Sequence, residues 1–206
     1  MRVRGFTLVE LLVVMTIGAI LVAAAVPSFQ WLIATSRTSN SASELIATLE
    51  LARSEAMRRG DIVSVCRTTD PNAPEAVLAC SSVSGAGFDG NDWGSGWVMF
   101  AKTGGIDAAV FDVGDTVIRR HQPLGTGSPR VMLLSNIAGA ERVAYRQDGM
   151  PAGGAGTFSI DYQDRPGSLA DDRDPGTVTL SNAGRCLFVA VGTGRVRAAR
   201  PTAGSC

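Results

Sequence analysis

Residues 5–26 read GFTLVELLVVMTIGAILVAAAV, and within this stretch the only charged side chain is Glu10. A helix rises about 1.5 Å per residue, so a helix of this length spans a hydrocarbon core of roughly 30 Å. Arg2 and Arg4 precede the stretch, and positive charge stays on the cytoplasmic side of an inner membrane. The sequence therefore predicts a membrane-inserted N-terminal helix, with the rest of the chain on the outer side.

A cleavable secretory signal peptide is the main alternative, since the run 23–25 offers small residues for a cleavage site. Glu10 argues against it, because an ionised carboxylate at membrane depth is costly unless it finds a partner. A cut between Gly5 and Phe6 would give Phe6 an α-amine. Glu10 of a neighbouring copy could pair with that amine when apolar helices pack side by side, so the buried charge would set the register of assembly.

The run Arg4-Gly5-Phe6-Thr7-Leu8-Val9-Glu10, followed by an apolar helix, resembles the class III signal of type IV pilins and type II secretion pseudopilins. The resemblance implies cleavage after Gly5 by a prepilin peptidase and N-methylation of Phe6. It also implies insertion into a helical filament with other minor and major pilins, in which Glu10 has the assembly role.

The composition fits one exported domain behind this helix. The chain has 206 residues, with 19 lysines and arginines against 19 aspartates and glutamates. A neutral total says little about partners, so the distribution of charge matters more than its sum. We expect the N-terminal helix to take about 50 residues and the head about 150, which is enough to bury a core.

Four cysteines are present, and His121 is the only histidine. No two cysteines form a Cys-x-x-Cys pair, so we expect no metal site. An even number of cysteines in an exported domain indicates disulfides. Three pairings are possible, and we favour the two local ones, Cys66–Cys80 and Cys186–Cys206. The sequence alone leaves the connectivity open.

The helix is expected to continue past Pro27, which removes an intrahelical donor and should kink or loosen it. Residues 35–43 are polar and poor helix formers, so we expect a solvated segment. Beyond them the spacing of apolar residues predicts one stripe that packs against a sheet. The stripe consists of Leu45, Leu49, Ala52 and Ala56. Gly60 is a natural C-cap.

The remainder is predicted to be strands separated by turns. The predicted strands are 62–66, 97–100, 116–121, 130–134, 141–145, 157–162, 176–180 and 186–191, with 157–162 and 176–180 as a hairpin. The fold class is therefore α+β: a long N-terminal transmembrane helix packed on an antiparallel head of one or two sheets. The predicted segments are a leader 1–5, a membrane and filament-core helix 6–33, a helix 34–60 on the head, and the head 61–206.

Two further blocks extend the resemblance. Residues 51–60 (LARSEAMRRG) and 92–100 (DWGSGWVMF) are similar to the FimT/FimU and GspH branch of minor pilins. The resemblance implies a pilin-like fold.

Catalysis finds no support in the sequence. We find no Ser/His/Asp arrangement, no phosphate-binding loop and no dinucleotide fingerprint, so neither a catalytic residue nor a cofactor is expected. We interpret His121 as a surface residue. The acidic residues between 161 and 174 are interpreted as a solvated hairpin tip in preference to a calcium site.

The C-terminal segment is basic, with four arginines and no acidic side chain from Arg185 onward; the others are Arg195, Arg197 and Arg200. Arg195 and Arg197 are two apart, so on a strand they share a face and lie about 7 Å from each other. That distance suits the phosphate spacing of DNA, and arginine provides planar, bidentate donors. Gly194-Arg195-Val196-Arg197 resembles the C-terminal motif of FimT-type minor pilins that bind DNA in natural transformation.

We therefore predict a FimT-like minor pilin, inserted in the inner membrane with a periplasmic head and then assembled near a pilus tip at the cell surface. It would help pilus assembly and would bind DNA without sequence specificity for uptake. We do not expect it to be an enzyme. The leading alternative is a GspH-like minor pseudopilin of a type II secretion system. A membrane-anchored exported enzyme is the remaining alternative.

Overall fold

The computed structural model describes residues 7–80, 93–103, 111–112, 114–124, 130–135, 142–153, 156–163, 180, 183–203 and 205–206. One helix, α1 (Leu8–Arg59), runs through the first part. The chain divides into two compact units, one ending at Ile33 and one beginning at Ala34.

The described part of the first unit begins with three hydrogen bonds between Thr7 and Glu10. The backbone N–H and the hydroxyl of Thr7 donate to the Glu10 carboxylate at 3.4 and 3.3 Å, and the Glu10 N–H donates to the Thr7 hydroxyl at 3.3 Å. This is a capping box, in which a threonine and a glutamate three residues later satisfy donors that the first helical turn leaves free. The Thr7-x-x-Glu10 spacing thus starts α1.

The apolar side chains of α1 from Leu8 to Val22 are exposed, and the least exposed of the large ones, Val13, is 50% accessible. The helical hydrogen-bonding pattern continues through Pro27. Across the described part of the chain, none of the helices combines the length and the mean hydropathy that a membrane span requires.

In the second unit, the predicted apolar stripe is confirmed. Leu45, Leu49, Ala52 and Ala56 are completely buried. The Gly60 N–H donates to the Ala56 carbonyl at 3.0 Å with a positive φ of 71°, so Gly60 ends the helix as predicted.

The interpretation of residues 35–43 as a solvated segment is wrong in part. Thr38, Ser41 and Ala42 are buried, and the Thr38 hydroxyl donates to the Ala34 carbonyl at 3.0 Å. A threonine can bury its hydroxyl on a helix because the carbonyl four residues back accepts its hydrogen bond.

Within its described residues, the head contains two antiparallel sheets. The first has the order β3-β2-β1-β5-β6 and the second has the order β4-β7-β8-β9. The strands are β1 (Val63–Arg67), β2 (Trp97–Ala101), β3 (Thr116–His121), β4 (Arg130–Ser135), β5 (Arg142–Tyr145), β6 (Pro151–Gly153), β7 (Thr157–Gln163), β8 (Arg185–Val189) and β9 (Val196–Ala199). A short 3₁₀ turn, Trp93–Ser95, leads into β2. The predicted α+β class, with a long helix on an antiparallel head, is confirmed, and the described strands form two sheets.

One core joins the helix to both sheets. Alternate residues of β1 and β2, such as Val65 and Met99, face the α1 stripe together with Leu133, Ile160 and Leu187 of the second sheet. The residues between them on the first sheet face the opposite way and pack under the 70–80 loop in a second cluster. That cluster contains Cys66, Leu78, Val98, Phe100 and Phe111.

The predicted hairpin of 157–162 with 176–180 is wrong where it can be assessed. β7 pairs with β4 along one side and with β8 along the other, so residues 158–160 have no free edge. The error arose because alternation of apolar residues identifies a strand but not its neighbour. Of the segment 176–180, only Leu180 lies within the described residues, and it is buried without belonging to a strand.

Both favoured disulfides are present. Cys66 on β1 bonds to Cys80 across a separation of 14 residues, and Cys186 on β8 bonds to Cys206 across a separation of 20. The first fixes the 70–80 loop on the first sheet, and the second ties the C-terminus to the second sheet.

Candidate functional site

The basic segment forms a hairpin at one edge of the second sheet. Among the described strands, β9 pairs only with β8, with Phe188 opposite Arg197 and Val189 opposite Val196. The Ala190 N–H donates to the Arg195 carbonyl at 3.0 Å, so the pairing extends to Arg195. The two candidate arginines are therefore held by the same two-stranded ladder.

Gly194 closes this hairpin. Its N–H donates to the Ala190 carbonyl at 2.8 Å, and its φ is +65°, a conformation that favours glycine. A Cβ at this position would lie 2.5 Å from the Gly149 carbonyl oxygen and 3.1 Å from the Tyr145 ring. The glycine of the Gly-Arg-Val-Arg motif thus lets the hairpin turn pack directly on the turn after β5.

Alternation along β8 and β9 sends the arginines outward. Val189 is buried in the core and lies opposite Val196, so Arg197, one residue on, faces away from the core. Arg195 lies two positions before Arg197 and shares that outer face. Both are exposed, as is Arg200 just after β9. Within the described residues, the side chains of these three arginines make neither a hydrogen bond nor an ion pair.

Arg185 is separated from the other three. It lies two residues before the buried Leu187 on β8, so both side chains lie on the helix-facing side of the strand. Its guanidinium donates to the carbonyls of Ala183 and Gly184 at 3.0 and 2.8 Å and to the Ser39 hydroxyl of α1 at 3.1 Å. Arg185 therefore fixes β8 to the helix.

The fold adds one cation that the sequence did not reveal. Arg146 lies in the turn after β5, between Tyr145 and Gly149, the two residues that contact Gly194. Its side chain is 55% exposed and only loosely paired with Asp148, at 3.8 Å. No local signal could have found it, because nearly fifty residues separate the two turns in sequence.

The processing residues are covered only in part. Gly5 and Phe6 lie outside the described residues. Glu10 forms the capping box with Thr7. Its pairing with the α-amine of a neighbouring copy stays a prediction.

His121, which the sequence indicates as a surface residue, is only partly exposed. Its side chain is 16% exposed and stacks on Trp97 with the ring centroids 3.8 Å apart. Its Nε2 lies 2.9 Å from the Glu44 carboxylate, so the ring connects β3 to α1. A cavity of about 640 Å³ lies beside it, but the histidine is engaged with its neighbours.

Metal ligands do not converge in the described residues, which contain no group of three or more histidine, cysteine or acidic side chains able to hold an ion. Asp161, the first of the acidic residues between 161 and 174, is buried on β7. Asp164, Asp171, Asp172 and Asp174 lie outside the described residues.

Two family models match the chain. Residues 41–193 match the type II transport protein GspH, and residues 1–26 match the prokaryotic N-terminal methylation motif. The first match ends immediately before Gly194, so the Gly-Arg-Val-Arg motif lies beyond it. A search of curated proteins found no match.

Solved structures that resemble the chain include two crystal structures of the type IV minor pilin FimU from Pseudomonas aeruginosa PAO1. One has 18% sequence identity and a TM-score of 0.49, and the likeness covers 79% of this chain and 87% of FimU. The other has 18% identity and a TM-score of 0.46, covering 78% and 91%.

The GspH model covers most of the head, and the methylation motif covers the start of α1. The motif implies processing by a prepilin peptidase and assembly with other pilins. The chain therefore belongs to the GspH family, whose members are structural proteins and not enzymes.

Proposed function

We propose that this chain is a FimT-like minor type IV pilin that captures DNA for natural transformation through Arg195 and Arg197. The observation that carries the proposal is their arrangement. Two exposed guanidiniums lie on the outer face of a sheet edge, without a partner in the described part of the chain.

The electrostatics of the hairpin favour a polyanion. Arg195 and Arg197 are about 7 Å apart along the strand, a separation that lets both guanidiniums reach phosphates of one DNA strand. Arg200 follows on the same segment, and Arg146 adds a cation on the adjacent turn. Val196 faces the core, so within the motif the two arginines would contact DNA while the valine between them packs on the protein.

Binding should be weak and sensitive to salt, because one copy neutralises few phosphates. Each contact releases about 0.9 counterion from duplex DNA, so three or four contacts give a modest dependence on salt. Several copies, or neighbouring pilins, would be needed for tight capture.

The test measures binding of a fluorescently labelled duplex to the full-length protein in detergent, by anisotropy over a range of salt. Removing both side chains in Arg195→Ala/Arg197→Ala should weaken binding at least about tenfold at low salt. The slope of log K against log salt should become shallower by about 1.8, which is about 0.9 for each phosphate that the variant no longer neutralises.

Arg119→Ala is the matched control, since Arg119 is exposed on β3 of the other sheet and each single substitution changes the net charge equally. It should leave binding nearly unchanged. Equal losses of affinity in Arg119→Ala and in the single variants Arg195→Ala and Arg197→Ala would show a general charge effect and reject the site.

A GspH-like pseudopilin is the second candidate, and the description of the matching family model favours it. The phenotype of a gene deletion distinguishes a role in the pilus from a role in the type II secretion pseudopilus. Loss of natural transformation with intact protein secretion supports the pilus, whereas loss of secretion with intact transformation supports the pseudopilus.

The N-terminal part of the proposal concerns processing and location. Cleavage after Gly5 would leave Phe6 as the methylated N-terminus, and Glu10 would pair with that amine in the filament. Before assembly, the largely apolar segment 6–33 would hold the subunit in the inner membrane with its head in the periplasm. Assembly near the pilus tip would then present the head at the cell surface. The methylation motif supports this proposal.

A further inference from the structure

Two side chains of α1 hold the two turns that meet at Gly194. The Glu50 carboxylate accepts a hydrogen bond from the Val196 N–H at 3.1 Å, at the first residue of β9. One turn later, the Arg53 Nε donates to the Gly149 carbonyl at 3.0 Å. Glu50 and Arg53 lie 4.0 Å apart at their closest charged atoms. One face of the helix thus contacts both turns.

The Val196 N–H is the donor that an edge strand leaves unpaired. β8 lies on the other side of β9, and among the described strands no further one continues the sheet. Glu50 supplies the missing acceptor from the helix. This contact restrains the backbone between Arg195 and Arg197, the two residues whose side chains face outward.

We propose that Glu50 is the positioning residue of the arginine hairpin, and that its carboxylate fixes the backbone from which Arg195 and Arg197 reach a polyanion. The inference rests on the proposed DNA binding. A negative charge beside a phosphate-binding segment opposes binding by Coulomb repulsion, so the benefit of Glu50 must come from geometry. Its side chain is 42% exposed, so solvent screens part of its charge.

Two substitutions separate charge from geometry. Glu50→Gln removes the charge but keeps a carbonyl oxygen that can accept from the Val196 N–H. Glu50→Ala removes the same charge and the acceptor. Because the two variants have identical net charge, any difference between them reports the hydrogen bond.

The experiment compares both variants with the wild-type full-length protein in detergent, using the labelled duplex. Glu50→Gln should bind as tightly as the wild type or up to about threefold more tightly. Glu50→Ala should bind at least about fivefold more weakly than Glu50→Gln, since the hairpin loses a hydrogen bond to a charged or strongly polar acceptor. Glu75→Ala removes a charge in an exposed loop and should behave like the wild type.

Amide hydrogen exchange provides the second measurement. Peptides that contain residue 196 should exchange faster in Glu50→Ala and at the wild-type rate in Glu50→Gln. Equal affinity and equal exchange in the two variants would overturn the inference. If the wild type does not bind DNA, the proposed function fails. Amide exchange at residue 196 then decides whether Glu50 positions the hairpin: different rates in the two variants support this role, and equal rates refute it.

Discussion

Single residues of this protein are constrained by contacts that are remote in sequence. Gly194 is the clearest example, because the adjacent turn leaves no space for a side chain and the backbone has a positive φ. Lys102 is another. It is the only lysine, and it lies buried between Asp112 and Asp115 at 2.6 and 3.1 Å.

Gly194→Ala should destabilise the protein by about 1–3 kcal/mol, because a left-handed conformation and a close contact with backbone both oppose the new methyl group. Equilibrium unfolding by denaturant measures this. Gly192→Ala, two residues earlier, is the matched control, since a Cβ there meets no atom within 4 Å. Equal stability of the two variants would contradict the packing argument.

Lys102→Met should destabilise the protein by about 3 kcal/mol or more, because it leaves the buried Asp115 carboxylate without its cation. Burial alone would lower the pKa of Lys102, but its hydrogen bonds to Asp112 and Asp115 outweigh this and raise the pKa. Asp112→Asn is the comparison. Asp112 is 69% exposed, so losing its charge should cost less than about 1 kcal/mol. Similar losses of stability in both variants would argue against a buried network.

Among the elements, α1 makes two kinds of contact along its length. Its stripe from Leu45 to Ala56 packs on both sheets, and Glu50 and Arg53 on a neighbouring face hold the turns. Its C-terminal end carries an ion-pair cluster, in which Glu55 contacts Arg58 at 2.6 Å and Arg59 at 2.7 Å. The two arginines also suit the negative end of the helix dipole.

The hydrogen bonds from Arg58 and then Arg59 lower the pKa of Glu55 from 4.5 to about 2. A carboxyl group with a lowered folded-state pKa stabilises the fold above its unfolded pKa, and the contribution disappears as the pH falls through the folded value. Glu55→Gln should therefore be less stable than the wild type at pH 7. The difference in thermal unfolding midpoint should shrink between pH 4.5 and about 2. A difference that persists at the lower end of this range would refute the assignment.

At the scale of the whole molecule, the sequence predicts a mature protein that differs from the translated one. Intact mass spectrometry of protein purified from its host should show loss of residues 1–5 and gain of one methyl group. Under non-reducing conditions it should also show loss of four hydrogens for the two disulfides. An intact Met1 would exclude the processing, and a Cys66–Cys186 peptide would exclude the pairing.

Local pattern in the chain was sufficient to predict the signal at Gly5 to Glu10, the α1 stripe and most strands, and it favoured the two local disulfides without deciding among the three possible pairings. Periodicity and spacing encode these features directly, because a helix or strand repeats over a few residues. The same pattern carries no information on which strands are neighbours, so the 157–162 hairpin was wrong. It also could not reveal that His121 stacks on Trp97.

The packing of the folded chain determines which arginines lie on the same exposed face. All four are close in the C-terminal sequence, yet Arg185 faces the helix while Arg195 and Arg197 face outward. Arg146, distant in sequence, lies on the adjoining turn. The physical reason is that a sheet gives each strand two faces and two edges, and the pairing of β8 with β9 and the packing of both on α1 select which face meets solvent.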